Sequence, residues 1–180
     1  MDWQDKVVMI TGASSGIGRG LAHELGVRGA KLGLVARRAD ALQEIVRETE
    51  AIGSKTLALP ADVQNAEAIR AAADRLRGEF GPIDLLIANA GVGGAADAAE
   101  IQASEVARVI NVNLIGAANS VAAVVPDMVA QGRGQLVVIS SLASYRGLPN
   151  RLHTAPAKQQ SLRFSRACGW TCSQEALTSR

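Results

Sequence analysis

Aromatic side chains are nearly absent from this 180-residue chain: they make up 3% of it, and Tyr145 is the single tyrosine. Any core is therefore built from Ala, Val, Leu and Ile. An excess of one charge is lacking too. The formal net charge is +2, the arginines are scattered, and no basic stripe alternates with aromatics, so nucleic acid is not an expected partner. Cysteine is confined to Cys168 and Cys172, and histidine to His23 and His153. A C-x-x-x-C pair with so few other ligands is poor ground for zinc or a disulfide, and no metal site is expected. No apolar run approaches the length of a membrane span. The opening stretch, Met1-Asp2-Trp3-Gln4-Asp5-Lys6, is polar and does not read as a signal peptide. A cytoplasmic protein with no membrane partner is the expectation.

What is present is apolar aliphatic sequence, interrupted by glycine. Apolar residues make up 48%, which marks a folded domain rather than a disordered chain. By length it is one domain, and such a chain can bury roughly 70% of its unfolded surface. The centre of the organisation is Val7-Val8-Met9-Ile10-Thr11-Gly12-Ala13-Ser14-Ser15-Gly16-Ile17-Gly18. A β-branched apolar run meets a glycine-rich turn, and Ile17, Leu21, Ala22 and Leu25 then recur at helical spacing. The order is strand, turn, helix. A helix opening at Gly16 aims its free N–H groups and positive dipole end into the turn. That arrangement suits an anion, above all the diphosphate of a dinucleotide.

The same alternation continues along the chain. Ala30 to Ala36 reads as a second strand, Asp40 to Ala51 as a helix stopped by Gly53, and Lys55 to Leu59 as a third strand. Ala66 to Phe80 is helical and is broken by Gly81-Pro82. Ile83 to Ala88 is a fourth strand, followed by a loop of small residues from Gly91 to Glu100. Ser104 to Ala130 reads as one long helix with Val106, Val109, Ile110, Leu114, Ala117, Val121 and Val124 inward, and Gln135 to Ser140 as a fifth strand. Strand–helix units in alternation predict an α/β fold with a doubly wound parallel sheet of the Rossmann type, incomplete at its C-terminal edge. In such a fold the adenosine ribose lies at the end of the second strand, where an acidic residue suits NAD and an arginine suits NADP. Here Ala36 is followed by Arg37 and Arg38 with no carboxylate, which favours NADP over NAD; both arginines also fit a solvated helix start.

Taken together, these stretches resemble the short-chain dehydrogenase/reductase family. The glycines at 12, 16 and 18 spell G-x-x-x-G-x-G, the family's turn, with Thr11 before it and Ile17 inside. Ala88-Asn89-Ala90-Gly91 resembles its N-N-A-G motif with Ala for the first Asn, and Val138-Ile139-Ser140-Ser141 its catalytic serine segment. The resemblance covers Asp5 to Pro149 and implies an NAD(P)-dependent oxidoreductase that moves hydride between a nicotinamide and a small carbonyl or secondary alcohol. It implies that Gly12, Ser14, Ser15, Gly16, Ile17, Gly18 and Arg37 hold the diphosphate and ribose. Asp62, Val63, Asn89, Ala90 and Gly91 would line the adenine and nicotinamide side. Asp62 equally suits a cap on the next helix, and Asn89 a tie between loops. The resemblance implies that Asn113 is the catalytic Asn, whose backbone carbonyl would hold a water near the active-site lysine; as a plain residue it could be a surface Asn. A homo-oligomer is usual in the family.

The catalytic set then breaks. Ser141 matches the active serine, whose hydroxyl hydrogen-bonds the substrate oxygen. The family places a tyrosine thirteen residues on and a lysine four after that; these positions hold Thr154 and Lys158. A threonine hydroxyl has no accessible phenolate-like form, so proton transfer is impaired, and Tyr145 lies too early to replace it. The chain thus divides into residues 1–150, a nucleotide-binding domain, and residues 151–180, an aberrant tail. A non-catalytic dinucleotide-binding remnant is the alternative to an enzyme, and a mere scaffold is a third reading. The tail is compatible with an out-of-frame reading of the family's next segment: shifted by one base, the codons for residues 153–161 can spell Tyr-Ser-Ala-Ser-Lys-Ala-Ala-Val. An edge left uncovered at the fifth strand would invite aggregation. Resequencing the DNA across codons 145–160 is expected to reveal a one-base shift near Asn150; an unbroken frame matching this text contradicts it.

Overall fold

The computed structural model describes residues 2–93 and 102–141. Tyr145, Thr154, Lys158 and the tail from 151 lie outside those residues.

Each short apolar run forms a strand because its side chains can be covered on both sides. The strands are β1 (Val7–Thr11), β2 (Lys31–Ala36), β3 (Thr56–Pro60), β4 (Leu85–Ala88) and β5 (Gln135–Val138), all parallel, in the order β3-β2-β1-β4-β5. Successive residues of β1 serve opposite faces. Val7 and Met9 join one apolar cluster, Val8 and Ile10 the other. The first cluster is covered by α3 (Ala66–Phe80) and α5 (Gly116–Gln131), the second by α1 (Gly16–Val27) and α2 (Ala39–Ala51). This is the doubly wound architecture. The strand order reverses between β1 and β4, where sheets of this kind form a crevice at their carboxyl ends.

Three local expectations need correction. The long helix runs from Ala103 to Gln131 but changes character on the way: α4 (Ala103–Ile110) passes through a π-helical turn at Asn111–Ile115 into α5. A π turn holds one residue more than an α turn. The buried stripe Met128, Val124, Val121, Ala117 therefore slips by one position upstream, to Asn113 in place of Leu114, while Val109, expected inward, is buried. Leu114, Ile110 and Val106 are left half-buried. Second, Ala103–Ala130 is long and apolar enough by composition to span a bilayer, contrary to the reading of the sequence as free of such a run. Its buried side chains nonetheless pack into the sheet cluster as those of a core helix do. The third concerns the cap of α3. Asn65, not Asp62, takes that role: Ala68 N–H donates to Asn65 Oδ1 at 3.0 Å. Asp62 Oδ1 instead accepts from Gln64 N–H at 3.0 Å, closing a turn before the helix.

Helices α3 and α5 are pinned by Arg77. One of its nitrogens donates to the Ala123 carbonyl at 3.1 Å and pairs with Asp127 at 2.6 Å. Asn119 Nδ2 donates to the Val63 carbonyl at 2.9 Å, and Gly116 lies so close to Val63 that a Cβ would stand 2.5 Å from its Cγ2. These contacts set the wall carrying Asp62 and Val63. Asn65→Ala removes a satisfied cap and is expected to cost about 1 kcal/mol. Urea unfolding checks this: the midpoint should fall with the slope unchanged.

Candidate functional site

The site grows out of the junction between the ends of β1 and β4. Thr11 is buried, and its hydroxyl accepts from the backbone N–H groups of Asn89 and Ala90, each at 3.2 Å. Asn89 Nδ2 in turn donates to the carbonyls of Thr11 at 3.0 Å and Gly12 at 3.1 Å. Asn89 is thus the tie between loops that its position suggested.

The three glycines of the turn serve three different needs. Gly12 has a φ of 66°, and a Cβ there would stand 2.7 Å from the Ala90 Cα. Gly18 has an ordinary φ, but a Cβ would collide with the Gly12 carbonyl and stand 2.7 Å from Asn89 Nδ2. Gly16 also needs the left-handed region, at φ 54°, yet a Cβ would meet nothing within 4 Å. Two glycines therefore let the protein close on itself, and the third leaves backbone bare toward open space. The N-cap Ser15 makes no side-chain bond to the first turn of α1, and that turn holds no acidic residue. Its amide donors and dipole end stay uncompensated, which fits an anionic group.

Above this turn lies a cleft of about 620 Å³. Gly12, Ser14, Ser15, Gly16 and Ile17 form one wall, and Arg37 with Arg38 the end beyond β2. Asp62 and Val63 form the side near β3, while Asn89, Ala90 and Gly91 make the floor. Ser140 and Ser141 close the far end, carried there because Ile139 N–H donates to the Ala88 carbonyl at 3.0 Å and prolongs the β5 pairing. Of the residues expected to hold cofactor, only Gly18 lies outside the lining, since its role is to admit the turn. Ile17 corrects the reading of α1: it is 62% exposed and lines the cleft, whereas Ala22 and Leu25 are buried as expected. The surface reading of Asn113 is overturned as well. It is 1% exposed, accepting from Val92 N–H at 2.7 Å and donating to the Val92 carbonyl at 2.9 Å. Its neighbour Val112 lines the cleft; Asn113 itself does not.

Arg108 holds the next carbonyl along, that of Gly93, at 3.2 Å. The hydrogen bonds that this guanidinium donates to Glu105 keep it more firmly protonated than usual. Arg38, beside Arg37, lines the cleft as well. Its Nη2 lies 3.4 Å from both the carbonyl and the Oγ of Ser14, closing the cleft from α2 to the glycine turn. Among the described residues Arg37 has no ion pair or hydrogen bond, and no group of His, Cys, Asp and Glu could hold a metal. Lys158 lies outside the described residues.

The glycine geometry orders two substitutions. Gly18→Ala forces backbone to move and is expected to cost about 1–3 kcal/mol. Gly16→Ala meets no atom and costs only the left-handed strain of about 1–2 kcal/mol. Paired urea unfolding curves check the ranking: Gly18→Ala should be the less stable.

Comparison with known proteins agrees with this geometry. The model of the short chain dehydrogenase family matches residues 6–175. An uncharacterized oxidoreductase of Myxococcus xanthus (strain DK1622) is 42% identical over 143 residues, covering 79% of this chain and 56% of its own length. The chain thus spans little more than half of that relative. An NAD+-bound xylitol dehydrogenase superposes with a TM-score of 0.90 at 28% identity, over 93% of this chain and 65% of the other. An alcohol dehydrogenase from the archaeon Thermococcus sibiricus, complexed with 5-hydroxy-NADP, does so with 0.86 at 31%, over 91% and 69%. A parallel sheet wound about a glycine turn, a cleft at its switch point and a family match over nearly the whole chain lead to one conclusion: this protein belongs to the short-chain dehydrogenase family.

Proposed function

We propose that the chain is the dinucleotide-binding part of an NADP-dependent oxidoreductase acting on a small carbonyl or secondary alcohol. The observation that carries the choice of NADP is the pair Arg37 and Arg38 at the end of β2, lining the cleft with no ion pair among the described residues. An acidic residue would be needed there to hold a ribose 2′-hydroxyl; arginine suits the 2′-phosphate. In this reading the amides of Gly16 and Ile17 and the hydroxyls of Ser14 and Ser15 take the diphosphate. Asp62 and Val63 flank the adenine, and Asn89, Ala90 and Gly91 form the floor toward the nicotinamide. When bound, the cofactor supplies or accepts hydride.

The chain's own catalytic contribution is a reduced set. Ser141 donates its hydroxyl proton in a hydrogen bond to the substrate oxygen and stabilises the charge developing there. The side chain of Asn113 is engaged by Val92, which supports a role for its backbone rather than its amide. Lys158 is carried over by position alone. Thr154 at the family's tyrosine position supports impaired proton transfer, and favours a second reading: a nucleotide-binding remnant without turnover.

Fluorescence titration with NADPH and NADH, beside an NADPH-consumption assay with a carbonyl substrate, separates the readings. NADPH is expected to bind more tightly, and Arg37→Ala to weaken it about tenfold while leaving NADH unchanged, the scale of one charge-assisted hydrogen bond. Turnover should be weak. Binding without turnover selects the remnant; a folded chain that binds neither nucleotide sinks both.

A further inference from the structure

Away from the cleft, one group of charges on the α1–α2 surface has no part in the reading above. Arg19, one turn into α1, pairs with Glu48 of α2 in a close contact and with Glu44 at 3.6 Å. His23, a turn further along α1, places Nε2 2.7 Å from Glu48 Oε2. One carboxylate of α2 therefore grips two successive turns of α1. Desolvation works to raise the Glu48 pKa, but the His23 hydrogen bond and the Arg19 guanidinium outweigh it and hold the carboxyl below its ordinary value.

The apolar contact beneath this grip is thin on one side. Helix α2 buries Leu42, Ile45 and Val46, but α1 answers with Gly18, Ala22, Leu25 and Gly26. Small residues leave few interlocking ridges, and burial of apolar area is non-directional. The apolar side chains of α2 seat it on the sheet within one cluster; the Glu48 contacts add a directional tie to α1.

What the tie positions is the arginine pair. Only Arg37 and Arg38 separate the end of β2 at Ala36 from the start of α2 at Ala39. With a link this short, the placement of α2 sets where Arg38 stands. Arg38 reaches Ser14 across the cleft at 3.4 Å, and Ser14 leads into α1, the helix that Glu48 holds. The loop closes on itself: glycine turn, α1, Glu48, α2, Arg38, and back to Ser14. The cluster pairs Arg19 with Glu44 and Glu48 and draws on neither Arg37 nor Arg38.

We propose that Glu48 is a positioning residue for cofactor choice: by tying α2 to Arg19 and His23 of α1, it holds Arg38 where a 2′-phosphate is read. This rests on the NADP reading of the cleft. Ion pairs this exposed contribute little to stability, so the thermal midpoint should hardly move when Glu48 is changed, while selectivity should.

The experiment measures dissociation constants for NADPH and NADH by fluorescence titration on the full chain. Glu48→Ala is expected to lower the preference for NADPH about three- to tenfold, through NADPH alone. Glu48→Gln, which keeps an acceptor for His23 or Arg19, should restore part of it. In an Arg38→Ala background, Glu48→Ala should change nothing further, as two residues acting in one chain of contacts do not add. An equal loss for both nucleotides, or an undiminished NADPH-selective loss in the absence of Arg38, overturns the proposal. If Glu48→Ala does not fold, Glu48→Gln carries the test by itself, with preference intact as the overturning result. A wild-type chain that binds NADPH no better than NADH overturns the cofactor reading and this proposal together. Preference in the wild type with no effect of Glu48 overturns this proposal alone.

Discussion

Two parallel strands that end side by side leave a gap that something must bridge, and here Thr11 and Asn89 do so. The Thr11 hydroxyl takes two backbone donors from the β4 loop, and the Asn89 amide satisfies two carbonyls of the β1 loop. Buried backbone groups at strand ends cost free energy unless paired. These bonds therefore let both loops turn away from the sheet while staying in contact. Everything at the site follows from how tightly they meet. The Gly12 backbone lies against Ala90, leaving no room for a side chain. That approach presses the turn back toward Gly18, and the helix starts with its amides facing the cleft.

A second clamp holds the opposite lip. Asn113 satisfies both backbone groups of Val92, and Arg108 takes the carbonyl of Gly93. Both come from one continuous helical stretch, on either side of the point where the π turn begins. The extra residue in that turn brings Asn113 onto the buried side without displacing the apolar stripe of α5. A polar side chain in a core position is costly unless fully bonded. Here both backbone groups of Val92 are among its partners, so its bonding and the shape of this lip are linked.

The strands, their parallel doubly wound arrangement and the glycine turn were legible in the sequence because they depend on short-range patterns, and most of the remaining cleft lining followed from the family resemblance. β-branched runs, glycine punctuation and strand-end polar residues each have a local physical cause. What escaped depended on phase or on contacts across the chain. The π turn has no compositional signature, and one added residue moved burial from Leu114 to Asn113 and left Ile110 half-buried beside the buried Val109. Asp62 and Asn65 are equally good caps by type, and only the path of the loop after β3 chose Asn65. Ile17 sits at a helical spacing that suits a core, yet it opens toward the cleft because Gly16 turns the chain before it. Arg38 carries the same chemistry as Arg37; the contact with Ser14 that distinguishes it comes from the placement of a helix, which no local pattern records.

The earliest of the five described strands lies in the middle of the sheet. Val8 finds one neighbour at Leu32 but the other only at Leu85. During synthesis the first half can assemble β3-β2-β1 with α1 and α2 on one face, while the other edge of β1 waits. Parallel pairing of distant segments is slow to form, and an apolar edge left waiting is open to wrong neighbours. The order of translation therefore exposes the strand that leads into the glycine turn until β4 emerges. The bonds between Thr11 and Asn89 are among the last this half of the sheet can acquire, so the cleft comes into being only as the sheet closes.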